Sequence, residues 1–336
     1  LKNNTITLFV PGLWALLGHA GNEMQASMPS LNLLLKRCDG STESVVESEI
    51  LLLNRLGWQA DEGADVPVAA LERLATGIDS NGFWFRADPV NLQEDQNYLM
   101  MSYPSALELD AVEARALSAS INEHFAEDGW RLEVVDQQHW YLGLDKNPDI
   151  QTTPLWRVVG RDVFNLMPVG NNSRQWHAWM MEIQMLLYNH VVNQARIEQG
   201  KTTVSGLWIW GGGELPLLEK SDILLRGDSL FLQGISRQSG CNIKALPGNM
   251  TSICDDCGVQ TEQLVVLEQA RAALMTGDMH VGIKALHELE KEVFQPLLTL
   301  LQSRKLTALN IIATPGNMVN VSARGIRKWW RRKRIV

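Results

Sequence analysis

Apolar positions recur along the chain with two periods, one helical and one extended. Residues 5–10 form a short β-like run closed by the turn pair Pro11-Gly12. Helical spacing follows from Pro29 to Arg37, with proline in the first turn, and over 45–56, where Val45, Ile50, Leu53 and Leu56 share a face closed by Gly57. Pro67 to Ala75 predicts another short helix, stopped by Gly77. Phe83–Phe85 and Tyr98–Met101 read as strands. Asp110 with Glu113 three residues on is a capping box, and Val112, Leu117, Ile121 and Phe125 supply the apolar face of the helix it opens. Leu132–Val135 and Trp140–Leu142 predict a hairpin, and Trp156–Val159 a further strand.

The longest helical pattern runs from Ser173 to Gln199, with Trp176, Met180, Ile183, Leu187 and Val191 at three- and four-residue steps. Val204 to Trp210 then predicts a buried strand that opens into Gly211-Gly212-Gly213. A helix over Asp228–Gln238, strands at Asn242–Leu246 and Leu264–Leu267, a helical region over 278–304 broken at Pro296, and a last strand at Leu309–Ala313 complete the pattern. Strands alternating with helices predict an α/β fold with a mostly parallel sheet flanked by helices.

The 336 residues suffice for two domains, or for one large α/β domain with an insertion. No apolar run reaches the roughly 18 residues of a membrane span, and the first strand is too short and poorly flanked for a signal peptide. The four cysteines are too few to staple the chain. Together these features predict a cytoplasmic protein. The 12 tryptophans fit core packing first and a ligand platform second.

Charge is unevenly placed. The net charge is −8, yet residues 321–336 hold seven Arg and Lys and no acid, leaving −15 for the rest. An acidic body argues against nucleic acid as the main partner. Within that tail, Trp329 and Trp330 stand among basic residues. That composition suits an anionic membrane surface, a stacked single strand, or a segment folded back on the body.

Three groups of residues are candidates for chemistry. The Gly211–Gly213 turn after Trp210 lets backbone N–H groups approach an anion, or is simply a tight turn. His190, Asn193 and Arg196 lie at three-residue steps, suited to a phosphate or carboxylate or to a solvated helix end. Cys254 and Cys257 form one C-x-x-C without a second pair, a weak zinc signal.

The run Asn189 to Arg196, then Gly200-Lys201, then Leu207-Trp208-Ile209-Trp210-Gly211-Gly212-Gly213 resembles the archaeal-type cofactor-independent phosphoglycerate mutases. Met28–Asn32, Leu56–Trp58, Gly82–Asp88, Leu230–Ile235, Ala245–Gly248 and Gly277 to Leu298 extend the likeness across most of 5–315. Ala87–Leu92, Glu182–Leu187 and the Trp-x-Trp-Gly-Gly-Gly run resemble more closely the bacterial RpfE-type regulatory family.

The resemblance implies an alkaline-phosphatase-like core at 1–76 and 201–320, an inserted smaller α+β subdomain at 77–200, and the basic tail at 321–336. It also implies two divalent metals and a nucleophilic serine, with Ser48, followed by Glu49, at the serine's place. The ligands depart from that pattern. Pro11 stands where the first aspartate should, Arg271 and Ala272 where two acids should, and Met275 where a histidine should. The Asp-His pair after the last strand is missing from Ile311–Pro315, and Met101–Ala106 replaces an arginine-rich substrate run.

The leading expectation is therefore a non-catalytic, metal-free relative with a regulatory or binding role. Arg86, His190, Asn193, Arg196, Trp210, Gly211 and Gly213 would form an anion site for a phosphorylated small molecule, or a protein would be the partner. Two alternatives stand beside it. One is a mutase or phosphatase holding manganese or zinc on rearranged ligands such as Asp88, His124, Asp255 or Cys257. The other is a peripheral membrane or partner-binding protein acting through the tail.

Overall fold

The computed structural model describes residues 4–328 apart from 62, 79, 96–97, 103–106 and 255–261. Trp329 to Val336, including both tail tryptophans, and Asp255 to Cys257 lie outside the described residues. The chain divides into two compact units, Leu1–Trp58 with Leu218–Val336, and Gln59–Leu217.

The first unit is built on a seven-stranded sheet in the order Asn242–Lys244, Leu224–Arg226, Gln263–Val266, Thr5–Phe9, Ala308–Ile312, Gly316–Ser322, Gly40–Ser44. The first five strands are parallel and the last two pair antiparallel. Strand Thr5–Phe9 is buried almost throughout, as a central parallel strand covered on both faces must be. Ile6, Leu8, Val265, Leu309 and Ile311 carry the sheet's share of the core.

Two elements here differ from the sequence pattern. Helix Leu13–Ala26 packs Leu13, Leu16, Leu17 and Met24 into that core. Its periodicity is masked by glycines, and Gly21 leaves helical geometry altogether at φ 80°. Strand Gly316–Ser322 follows the strand expected to be last, burying Val319 and Val321 around exposed Asn320. Ile326 is buried in the same core. Residues 321–328 of the expected tail are thus part of the fold.

The helical region near the end continues through its proline. Helix Met279–Glu288 widens into a π-helical segment, Leu289–Phe294, that runs on into helix Gln295–Gln302, with Pro296 just past the junction. Glu290 in the π segment is buried and accepts from the backbone N–H groups of Ser30 at 2.7 Å and Leu31 at 3.1 Å. It thereby caps helix Pro29–Lys36, whose own preceding residue, Met28, cannot.

The second unit is α+β. Its antiparallel sheet runs Gly206–Gly213, Phe83–Val90, Trp140–Leu144, Arg131–Val134. Phe83, Phe85 and Ala87 point to one face, against Leu117 and Ile121 of helix Ala111–His124 and Trp176 and Ile183 of helix Ser173–Tyr188. Trp130 stacks on Phe125 at 4.5 Å between ring centres and lies 5.6 Å from Trp176, so these tryptophans are packing residues. The alternate residues Trp84, Arg86 and Asp88 belong to the opposite face, where Trp84 and Tyr141 pack with Ala69 of helix Val68–Thr76. That helix packs on strands Phe83–Val90 and Gly206–Gly213, which is why residues 59–76 and 201–217 fall in this unit rather than in the first.

The long helical pattern breaks at His190, whose φ −67°, ψ 138° is extended. Helix Ser173–Tyr188 ends there and helix Val191–Glu198 begins. Trp156 lies in a single helical turn, Leu155–Val158, started by Pro154, not in a strand. Among the described residues no helix is long and apolar enough to cross a membrane.

Candidate functional site

The residues standing at the expected metal and serine positions, Pro11, Ser48, Arg271, Ala272 and Met275, lie in the first unit. Strand Thr5–Phe9 leads to Gly12 at φ 82°, where an added Cβ would come within 3.1 Å of the Arg271 backbone. The left-handed turn and the close approach together require glycine and press the turn onto helix Gln269–Leu274. Ser48 begins helix Ser48–Asn54 and is buried, with its Oγ 3.3 Å from the Thr314 carbonyl and 3.1 Å from Thr314 Oγ1. Thr314 follows strand Ala308–Ile312.

Beside Ser48, the buried Glu49 accepts from Nη1 of Arg271. Arg271 also donates from Nε at 2.9 Å and Nη2 at 2.8 Å to the two oxygens of Glu268. Burial works against the guanidinium charge, but Glu49 and Glu268 outweigh it and hold the Arg271 pKa above its ordinary value. One permanent cation, fixed by two carboxylates, therefore occupies this corner.

A metal does not fit these residues. Pro11, Ala272 and Met275 offer no anionic donor, and a dication approaching Glu49 or Glu268 would meet the guanidinium already bound there. Among the described residues no group of three or more His, Cys, Asp or Glu could hold a metal ion. Ser48 hydrogen-bonds to Thr314, a partner that is no base at neutral pH.

The anion candidates of the second unit are engaged with partners of their own chain, Arg86 and Trp210 meeting at Asp88, and His190, Asn193 and Arg196 lying at a helix end. Arg86 donates to Glu72 at 2.7 Å, to Asp88 and to the Gln138 carbonyl at 2.6 Å. Burial opposes its charge, but Asp88 and Glu72 raise its pKa. Trp210 donates its indole N–H to the other oxygen of Asp88, so Asp88 is also spent as a metal ligand. Arg196, 1% exposed, donates to the Thr202 carbonyl at 2.6 Å, to Glu113 at 2.7 Å and to the Leu107 carbonyl. Asn193 is buried and bonds Leu187 and Val204 through both ends of its amide.

His190 caps helix Val191–Glu198: its Nδ1 accepts from the Val192 N–H at 3.2 Å. An accepting Nδ1 leaves the ring proton on Nε2, which donates to Ser120 Oγ at 3.0 Å. That tautomer cannot take a proton from Ser120, and burial lowers the His190 pKa, favouring the neutral ring. These three residues fix a helix end through bonds within the chain.

The glycine run is explained by packing. A Cβ on Gly212 would sit 2.1 Å from the Phe85 ring, and one on Gly213 2.6 Å from Pro67, while Gly211 takes φ 65°. The Gly212 N–H faces the carboxylate of Asp65 at 3.4 Å, so an acid of the chain already stands where an anion was expected. The alternative metal ligand His124 lies 3.5 Å from Glu182, both partly exposed. Cys254 closes a 3-10 turn, Met250–Cys254, and its expected partner Cys257 is among the residues not described.

Sequence reasoning missed Glu268, Thr314, Glu72 and Asp65. Glu268 and Arg271, three apart, do carry a helical ion-pair signal. Asp65 accepts from the Thr152 N–H at 2.9 Å and from the Thr152 hydroxyl. Burial still outweighs these bonds, with that from Gly212, and pushes its pKa up to about 6. Its contribution to stability is thus full below about pH 4 and is lost as pH rises through about 6. Asp65→Asn is expected to be more stable than the natural chain at pH 8, by up to about 3 kcal/mol, and equal to it at pH 4. Urea unfolding at the two pH values checks this, and an equal loss at both would refute it.

No family model matches the chain. In sequence it is similar to a probable 2,3-bisphosphoglycerate-independent phosphoglycerate mutase of Geobacter sulfurreducens, 22% identical over 268 residues that cover 73% of this chain and 66% of that protein. It is also similar to the 2,3-bisphosphoglycerate-independent phosphoglycerate mutase of Methanosarcina barkeri, 24% identical over 191 residues, 54% of this chain and 47% of that one. The match spans just under two thirds of the first relative and about half of the second. Among solved structures it is similar to a protein of Pyrococcus horikoshii, with TM-score 0.50 and 13% identity, covering 96% of this chain and 88% of that one. The chain is thus distantly similar in sequence to 2,3-bisphosphoglycerate-independent phosphoglycerate mutases, and it shares with the Pyrococcus horikoshii protein a mixed sheet flanked by helices.

Proposed function

We propose that this chain is a non-catalytic relative of the phosphoglycerate mutases that serves a regulatory, binding role, in the manner of the RpfE-type family it resembles. The observation that carries this reading is the Arg271 guanidinium seated between Glu49 and Glu268 beside Ser48. It supplies positive charge in the corner where the enzymes would use divalent metal, but it is tethered and coordinatively filled. Such a cation stabilises the scaffold without lowering the pKa of a hydroxyl by direct ligation. Ser48 is left as a buried hydroxyl paired with Thr314. The reading with rearranged ligands finds less support, because Asp88 is committed to Arg86 and Trp210.

The test is interconversion of 3- and 2-phosphoglycerate by the purified protein with added manganese. Turnover indistinguishable from the buffer blank is expected. Robust turnover that Ser48→Ala abolishes would overturn the proposal.

A further inference from the structure

Helix Ser173–Tyr188 of the second unit buries Trp176, Met180, Ile183 and Leu187. Its other face is open, and large apolar side chains lie along it. Met181 is 63% exposed, Met185 67% and Tyr188 79%. Arg174 and Ala178, both exposed, complete the same line at steps of four, three, four and three residues. A single exposed apolar residue needs no explanation, but an aligned set does.

The stripe is nearly palindromic about Met181. Arg174 and Tyr188 lie seven residues to either side, and Ala178 and Met185 three and four. Two copies of the helix laid antiparallel about a twofold axis at Met181 would set each Arg174 against the partner's Tyr188. The same operation sets each Met185 over the small side chain of the partner's Ala178. Charge agrees with this pairing. Arg174 stands in the first turn of the helix, where the helix dipole disfavours a cation. An antiparallel partner brings the negative end of its own helix to that place, and the face of its Tyr188 as a cation–π acceptor.

We propose that this face is the contact of a homodimer in which the helix pairs antiparallel with its copy. The five side chains offer on the order of 500 Å² per copy, against about 800 Å² per partner in a stable complex. The patch is smaller than a stable interface needs, so the dimer is weak and reversible. This inference does not depend on whether the chain is an enzyme.

Sedimentation velocity of the full chain, from a few to several hundred micromolar, should show a concentration-dependent monomer–dimer equilibrium. Met181→Glu places two like charges at the axis and should raise the dissociation constant at least about tenfold. Its circular dichroism and urea midpoint should stay unchanged, because the side chain is exposed in the monomer. Met181→Cys should form a covalent dimer on mild oxidation, whereas Ala178→Cys, displaced from the axis, and the natural chain should not. A monomer at the highest concentration, leaving the face to a different protein, would overturn the proposal. So would a dimer that Met181→Glu does not weaken.

Discussion

Arg271→Ala is expected to destabilise the first unit by about 3–5 kcal/mol at neutral pH. The magnitude follows from what the substitution leaves behind. Glu49 has a side chain only 8% exposed, and it loses the cation that compensates its burial. Glu268, 36% exposed, can return to water and adds less. Arg271→Lys should recover only part of the loss, because one ammonium cannot hold two carboxylates as a planar fork does. The double variant Arg271→Met with Glu49→Gln should recover more, since no unpaired charge then stays buried. Urea unfolding of the three variants tests the order. If Arg271→Ala costs less than about 1 kcal/mol, the guanidinium is not what holds this corner together.

Arg196→Ala is expected to cost the second unit a similar amount, about 3–5 kcal/mol. The guanidinium joins three separate segments: the capping-box residue Glu113, the carbonyl of Leu107 before that helix, and the carbonyl of Thr202 before strand Gly206–Gly213. Its removal leaves two carbonyls without this donor and a carboxylate with only the Asp110 N–H. The tryptophans at 130, 176 and 179 lie in the same unit, so their fluorescence reports its unfolding. If a phosphate site were Arg196's role instead, the variant would keep its stability and lose phosphate-dependent protection. That outcome would contradict the structural assignment.

Much of the architecture could be read from local chemistry. The helix opened by Asp110 and Glu113 is present with both halves of its capping box made. Strand Gly206–Gly213 and the hairpin Arg131–Val134 with Trp140–Leu144 stand where their apolar runs placed them. The failures also have local causes. The break at His190 is invisible to periodicity, because the apolar spacing carries on from Leu187 to Val191 across it. Strand Gly316–Ser322 buries only alternate residues, and its neighbouring basic residues drew attention to charge instead.

The site was legible in part. Counting residues along the likeness put Ser48 and Glu49 at the places of the serine and its neighbouring acid and Arg271 at the place of a missing acid, and the structure joins Glu49 to Arg271 directly. Glu268 and Thr314 were not legible, because their roles come from side chains meeting across the chain. The reading of Arg86, His190, Asn193 and Arg196 as an anion site rested on residue types. A type says what a group can bind but not that the fold has already bound it. Each of those groups meets partners of its own chain.

The glycines at 212 and 213 have a consequence for how such chains are classified. Their lack of side chains makes room for Phe85 and Pro67, both part of the scaffold. Selection on folding alone would preserve the Trp-x-Trp-Gly-Gly-Gly run after every reactive residue had drifted away. A likeness carried by that run therefore speaks for the scaffold and not for an activity. The contact of Arg271 with Glu49 bears on the proposed loss of catalysis, and the glycine run does not.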